Sequence, residues 1–526
     1  MIAAFILAAA LSPPLQEGLA ALEAERYEDA ARALQEAPDL ASSYDGLVGL
    51  AVAQGRLGRL ADAETPLARA IRLAPHRPEA RVERGGLRFL QGRYADAVAD
   101  LEVALAARED AYTRDLLASA LLLSERVLEA VRTWNEAGKP CLAALTVHGL
   151  VHTRDAVVRR ELRFREGEVL DADALRASLR ALEDTGVFTE VALRGSARQD
   201  RDLDLELLLA ERHGFGHPIE VASATLTNLL VGRARLRYAN IAGEGIHASA
   251  FYRYEGVRPR LEGALEWPRP FGLPFQARLS AFRERQPYDL DGPLVSRARG
   301  GDLTFRRVLN GRTAGEIGVR WRRRAFDREA AYAVPGTSLA GTVGLERGLW
   351  AAGPHRIDIG GRALGARDFV SGLAWVRYQR ASRLRDARPP ASVIAARLLG
   401  GSGSARLPLD EMYAPGAAPD ATFPLRGHRL RDKGVLGAVP IGRDLGLANL
   451  EWRVEAWSRR DFGVGLTVFQ DVAGVQRPAA GASRVLWDAG AGLRLRFGTS
   501  SIVRVDYGHG LRDRDHTVSV ALGEAF

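Results

Sequence analysis

Cysteine is all but missing from this chain: Cys141 stands alone among 526 residues, which excludes an intrachain disulfide, a Cys-based zinc site and a CxxC redox pair. Lysine is nearly as scarce. Lys139 and Lys433 are the only two, so the formal charge of +8 is carried by arginine. The arginines spread through the strand-like segments instead of gathering on one helix, an arrangement that does not point to nucleic acid. No stretch reaches the roughly 18 uninterrupted apolar residues of a spanning helix, so residence in a membrane would have to be by β-barrel. Nucleotide-binding loops of the Walker type, HExxH, GxSxG and the Gly-rich dinucleotide fingerprint do not occur where their context demands. The expectation is a protein that is not an enzyme and uses no cofactor. His148 and His152, like His213 and His217, have helix-like spacing but fall in strands or loops, so no metal site is expected.

What is present changes class along the chain. The residues before about 138 are rich in Ala, Leu and Glu, whereas the last 300 or so are Gly-rich with short apolar/polar alternations. A chain of this length is expected to divide into two or more domains. Its first residues, Met1 to Ala10, read as a short apolar segment with small residues near a cleavage point, and a signal peptide is assigned to 1–14, although a basic start is lacking.

Internal repetition organises 15–138. Arg26-Tyr27-Glu28-Asp29-Ala30 aligns with Arg59-Leu60-Ala61-Asp62-Ala63, Arg93-Tyr94-Ala95-Asp96-Ala97 and Val127-Leu128-Glu129-Ala130-Val131. The spacing of about 34 residues is that of tetratricopeptide (TPR) repeats, and the segment resembles a TPR solenoid. Its Ala and Leu stripes, such as Ala97, Leu101, Ala104 and Leu105, form the packing between helices, leaving a concave face for a periplasmic protein partner.

A different pattern covers 143–212: a short strand ending at Gly149, a helix from Thr153 or Asp155 to Leu162, a helix over about 171–184, and alternating strands at 187–193 and 203–209. This β-α-α-β-β order resembles the polypeptide-transport-associated (POTRA) domain, with Val147-x-Gly149, Arg160-Glu161-Leu162, Gly167 and Thr185-Gly186-Val187-Phe188 as its signature. Gly149 and Gly186 read as turn glycines and Phe188 as core. The resemblance implies an exposed sheet edge that receives an extended client segment by β-augmentation.

From 215 to 526 sixteen alternating segments can be marked, an even number that fits a bacterial outer-membrane barrel. The last five lie around 448–457, 463–471, 488–497, 502–507 and 517–526. In them Leu450, Trp452 and Val454, or Leu493, Leu495 and Phe497, face lipid while Glu451 and Arg453, or Arg494 and Arg496, face the lumen. An arginine turned toward the bilayer midplane would cost about 2–4 kcal/mol, which fixes the register. Phe526 ends the chain at the outward phase of the last strand and resembles a C-terminal recognition signal of outer-membrane proteins.

Between the eleventh and twelfth segments, roughly 407–444, lies Pro424-Leu425-Arg426-Gly427-His428. It resembles the lumen-inserted loop of BamA, TamA and FhaC-type exporters, with His428 in place of the usual Phe or Tyr. The resemblance implies that Arg426 pairs with acids on the next two strands, matched here by Glu451 and Asp471. Asp471 is followed by Val472-Ala473-Gly474, where relatives have a closer glycine. Gly523 matches a kink glycine, and the resemblance implies a weak lateral seam between the last strand and a first strand at about 217–226. The expected partners are the outer-membrane bilayer and unfolded β-rich client proteins. Assembly, export of one passenger by a two-partner-type channel, and a passive pore or anchor displaying the TPR arm all remain open at this point.

Overall fold

The computed structural model describes residues 12–198, 202–216, 218–230, 232–330, 332–352, 355–382, 391–418, 421–437, 439–459, 462–476, 483–497 and 501–525. Most of the signal-peptide assignment, 1–11, and Phe526 lie outside them. Two compact units divide the chain, and the division runs through the α+β domain.

The first unit contains the helices α1 (Pro13–Glu23), α2 (Tyr27–Glu36), α3 (Tyr44–Arg56), α4 (Leu60–Leu73), α5 (Glu79–Leu90), α6 (Tyr94–Ala107), α7 (Ala111–Leu123) and α8 (Val127–Asn135). The even-numbered helices start every 33 or 34 residues, where the repeated motifs were aligned. Small residues let neighbouring helices approach. A Cβ on Gly18 would fall 2.5 Å from Leu34 Cγ, and one on Gly85 2.7 Å from Leu101 Cγ. Asp100 is the charged exception within this packing. Its carboxylate, nearly inaccessible to solvent, is met by Arg84 at 2.5 Å and Arg88 at 2.8 Å.

The α+β domain runs β1 (Leu142–His148), α9 (Asp155–Arg159), α10 (Ala172–Asp184), β2 (Phe188–Ala197) and β3 (Leu203–Glu211), with sheet order β1-β3-β2. β1 lies parallel to β3, with Leu205 and Leu207 buried on the core side. Gly149 has φ +89°, and a Cβ there would sit 1.9 Å from the Leu209 carbonyl oxygen, so only glycine fits. Gly186 turns the chain with φ +67° and Phe188 is buried.

The remainder is a closed antiparallel cylinder. Its strands are β4 (Arg233–Ile241), β5 (Ile246–Arg253), β6 (Arg260–Pro268), β7 (Gln276–Asp289), β8 (Pro293–Asn310), β9 (Thr313–Phe326), β10 (Gly336–Ala352), β11 (His355–Ala366), β12 (Val370–Ala381) and β13 (Ser392–Gly403). After a long connection carrying the two-residue strands β14 (Arg431–Asp432) and β15 (Val435–Leu436), they resume as β16 (Asp444–Arg459), β17 (Phe462–Gln476), β18 (Ser483–Phe497), β19 (Ser501–Gly510) and β20 (His516–Leu522). The alternation has the predicted phase: Leu450 and Trp452 are about half exposed on the outside, whereas Glu451 between them is fully buried.

The expected count of sixteen strands needs correction. The described residues give fifteen long strands, because the segment expected to be the first strand, 217–226, is instead helix α11 (Pro218–Leu230). Local sequence explains the difference. Ala222, Ala224, Leu226 and Leu229 favour a helix at least as well as a strand, and Ala222, Thr225, Leu226 and Leu229 line one uncharged exposed face at helical spacing. Length decides it. Gly214 pairs with Ala239 at one end, each donating its N–H to the other's carbonyl, and Leu229 O accepts from the Tyr254 hydroxyl (2.7 Å) at the other. Thirteen residues as a helix span about 20 Å, close to the rise of β4 from Arg233 to Ala239; as a strand they would span about 43 Å.

Short turns at one end of the cylinder meet the parts of the α+β domain that belong to the same unit. Asn240 Nδ2 donates to Thr153 Oγ1 (2.8 Å), Arg269 pairs with Glu161 (2.9 Å), Arg306 pairs with Asp184 (2.9 Å), and the His247 ring lies 2.8 Å from the Thr185 carbonyl. The signature residues Glu161 and Thr185 thus have a second use that sequence reading missed. His152 and His213 stack face to face, centroids 3.9 Å apart, so their nitrogens do not converge on a shared ion; His217 lies outside the described residues.

Candidate functional site: a buried arginine latch in the barrel

The connection 404–443 folds into the cylinder. It is rich in apolar residues for a loop: Leu409, Tyr413, Leu425, Leu430, Val439 and Ile441 are buried, packing with inward residues such as Leu399, Leu447 and Val475, and Leu407 is buried with Ala340, Leu364 and Phe369. Polar ties fix it on three sides. Asp410 and Glu411 meet Arg324 and Arg320 of β9, each at 2.6 Å. Tyr413 donates its hydroxyl to the Gly372 carbonyl of β12 (2.7 Å), and its ring occupies the place a side chain at Gly401 would fill. Leu436 of β15 pairs with Tyr288 of β7.

The fourth tie is Arg426. Its side chain is 1% exposed, and those of Glu451 and Asp471 are 0%. Arg426 Nε and Nη2 donate to the two Asp471 oxygens at 2.8 and 2.9 Å, a two-pronged pair, while Nη1 donates to Glu451 Oε2 at 2.7 Å. The guanidinium also lies 3.5 Å above the Phe469 ring, and the Arg426 backbone N–H reaches Asp471 at 3.1 Å. Such a cation is stable away from water only because its donors are met by carboxylates; an isolated charge there would be very costly. β16 and β17 supply the two acids because Asn449 pairs with Asp471 across them, placing Glu451 one inward position along β16.

The site extends beyond the five predicted residues Arg426, Gly427, His428, Glu451 and Asp471. Arg453 and Arg494 also hold Glu451, at 2.7 and 3.3 Å, and Arg494 continues to Asp506 at 2.6 Å and Glu524 at 2.9 Å. Asn449 donates to Asp471 (2.7 Å) and to the Pro424 carbonyl (2.9 Å), tying strand and loop together. Gly427 donates its N–H to Asp488 at 2.5 Å, and a Cβ on Gly427 would strike that carboxylate at 2.6 Å. Gly508 is required for the same approach, since a Cβ there would sit 2.2 Å from the Arg426 carbonyl oxygen.

His428 explains its departure from the aromatic expected in relatives. Its Nδ1 faces Asp488 at 2.7 Å and its Nε2 faces Asp513 at 2.8 Å. Nε2 hydrogen-bonds Asp513 while Nδ1 makes only ion-pair contact with Asp488, and the two carboxylates together favour the imidazolium. Of the seam residues, Gly523 follows β20 with φ +78°, space around its α-carbon, and its N–H on the Ile502 carbonyl (2.7 Å). The first strand expected opposite it is α11.

Comparison with known proteins bears on both parts of this architecture. Residues 142–212 match the family described as POTRA, surface antigen variable number repeat. Among solved structures, CdiB from Escherichia coli aligns with TM-score 0.52 and 14% identity, covering 80% of this chain and 86% of that one. The chain thus carries a POTRA domain and shares the overall fold of CdiB. Weaker alignments are to CdiB from Acinetobacter baumannii (TM-score 0.49, 13% identity, 73% of each chain) and to BamA from Haemophilus ducreyi lacking POTRA domains 1–3 (TM-score 0.41, 16% identity, 72% of this chain and 84% of that one). No curated protein matches.

Proposed function

We propose that this protein inserts or translocates β-rich client proteins at the bacterial outer membrane, through a barrel whose passage is controlled by the 404–443 segment. The observation that carries the reading is the latch: a segment crossing the lumen and tied to β9, β12 and β16–β17 suits a barrel that changes state, and a passive pore has no use for it. No chemical step and no cofactor belong to this reading; folding of the client supplies the driving force. The POTRA sheet edge would receive client segments by backbone pairing, which tolerates varied sequences. The helix pairs of 15–138, read as a TPR arm, would hold a periplasmic protein partner on their concave face. Signal-peptide-directed export over 1–14 delivers the chain to that compartment.

A two-partner-type secretion channel is the second reading, favoured by the alignment with E. coli CdiB. Reconstitution into liposomes separates the alternatives. Insertion predicts that an unfolded barrel client, added outside, becomes protease-resistant in the bilayer. A soluble β-helical passenger protected within the vesicle supports export. Ion conductance with neither outcome refutes both and favours the pore.

A further inference from the structure

The lumen and the outer wall treat arginine differently. Inside, Arg260 pairs with Glu262 and Glu284, Arg322 with Asp302, and Arg324 with Asp410. Outside, on the same strands and near the end remote from the POTRA contacts, Arg283, Arg299 and Arg323 stand directly opposite one another on β7, β8 and β9, and Arg285 stands opposite Arg297. Cross-strand partners on one face lie about 5 Å apart, a spacing at which like charges repel. Among the described residues the side chains of Arg283, Arg297, Arg299 and Arg323 have neither an ion pair nor a hydrogen bond, and that of Arg285 only donates to the Val257 carbonyl (2.8 Å). These lumen arginines have carboxylate partners, whereas the five on the outer wall have no counter-charge.

Their surroundings define what supplies it. The arginines line a recess of about 460 Å³ together with Tyr252 and Leu261, and the one carboxylate in its lining, Glu284, is already paired with Arg253 and Arg260. Toward the middle of the wall follow Ala281, Gly301 and the exposed Trp321, and then the exposed Leu279 and Leu303. On β8 the next outward arginine is Arg307, eight residues from Arg299, which on a strand tilted by about 40° is roughly 20 Å of height. The row therefore marks one edge of the apolar belt. A ligand placed here meets guanidinium forks at one end and an apolar wall at the other, and guanidinium forks match phosphate oxygens in pairs.

We propose that Arg283, Arg299 and Arg323, flanked by Arg285 and Arg297, bind the phosphorylated headgroup of a lipid in the leaflet remote from the POTRA domain, its acyl chains lying on Leu261, Leu279, Leu303 and Trp321. The site rests on reading the cylinder as membrane-spanning. Heat-modifiable migration of the full-length protein on gels tests that premise separately.

The binding test is native mass spectrometry of the full-length protein in detergent, with bisphosphorylated lipid A as probe. Wild type retains one lipid, and Arg283→Gln/Arg299→Gln/Arg323→Gln weakens retention at least ten-fold while heat-modifiability persists. Arg307→Gln, at the opposite edge, leaves retention unchanged. Should the Gln variant fail to fold, the corresponding triple Lys variant keeps the charge but loses the fork, and intermediate retention supports the site. Undiminished retention by a folded Gln variant, equal binding of dephosphorylated lipid A, or displacement by millimolar inorganic phosphate would overturn it.

Discussion

Replacing Arg426 by Ala removes the cation that holds two fully buried carboxylates. Glu451 keeps Arg453 and Arg494, so the orphan is Asp471, left with Asn449 as its remaining side-chain donor. Breaking a buried pair from one side costs about 3–5 kcal/mol, most of it the penalty of the stranded charge. At 1.4 kcal/mol per factor of ten this shifts the balance between inserted and released segment by roughly two to three and a half orders of magnitude. Trypsin reads that balance, because Arg429, Arg431 and Lys433 follow the latch in the same segment. The wild-type barrel should resist cleavage there while Arg426→Ala is cut. Asp471→Asn removes the stranded charge, so Arg426→Ala/Asp471→Asn should be cut more slowly than Arg426→Ala alone. Groups in one network couple by about 0.5–3 kcal/mol, and the upper part of that range is expected here. A coupling below about 0.5 kcal/mol, or equal protection of wild type and Arg426→Ala, would refute the latch.

Other consequences are as specific. His428→Phe restores the residue type of relatives yet should weaken protection of the segment, because Asp488 and Asp513 lose their shared cation; Asp488→Asn should recover part of it, and an unchanged digestion pattern for His428→Phe would count against the imidazolium bridge. Gly508→Ala pushes a methyl group into the Arg426 carbonyl and should expose the same tryptic sites, with Gly446→Ala, where a Cβ meets nothing within 4 Å, as a silent control. In the POTRA domain, burial works to raise the Glu211 pKa, but the backbone N–H groups of His152, Thr153 and Val151 at 2.9, 2.9 and 3.0 Å more than offset it and hold the carboxyl below its ordinary value. A depressed pKa contributes stability above the unfolded value, near 4.3, that is lost as pH falls through the folded one. Amide exchange at 151–153 should therefore quicken relative to neighbouring amides below about pH 4, and Glu211→Gln should abolish that step. In a Cys141→Ser background, single cysteines at 221–229 should label with a lipid-soluble thiol reagent at 222, 225, 226 and 229; strict alternation would show a strand instead of α11.

The latch was legible because two independent signals met. The motif around Arg426 and the inward phase of Glu451 and Asp471 concern different parts of the chain, and the closed sheet brings them within hydrogen-bonding distance. Asp488, Asp506 and Asp513 went unassigned, although the same alternation carried onto β18 and β19 puts Asp488 and Asp506 inside. Gly508 left no signal, since its need arises only from a backbone crossing it from elsewhere in the fold. The 217–226 segment misled because a run of Ala, Ser, Thr and Leu satisfies both periodicities. Only the distance between its anchors, a tertiary quantity, selects the helix. The outward arginines of β7–β9 lie in strands recognisable as such, but their lack of counter-charges is visible only after the strands are placed side by side.

The helix at the seam has a mechanical consequence. A wall made wholly of strands is drawn taut, so parting two neighbours means pulling on whatever joins them. Here one position holds about 20 Å of wound chain whose contour, if paid out, is more than twice as long. Unwinding α11 would release enough slack to move β4 away from β20 while the link to the domain before it stays unstretched, giving this cylinder a hinge with its own spare cord.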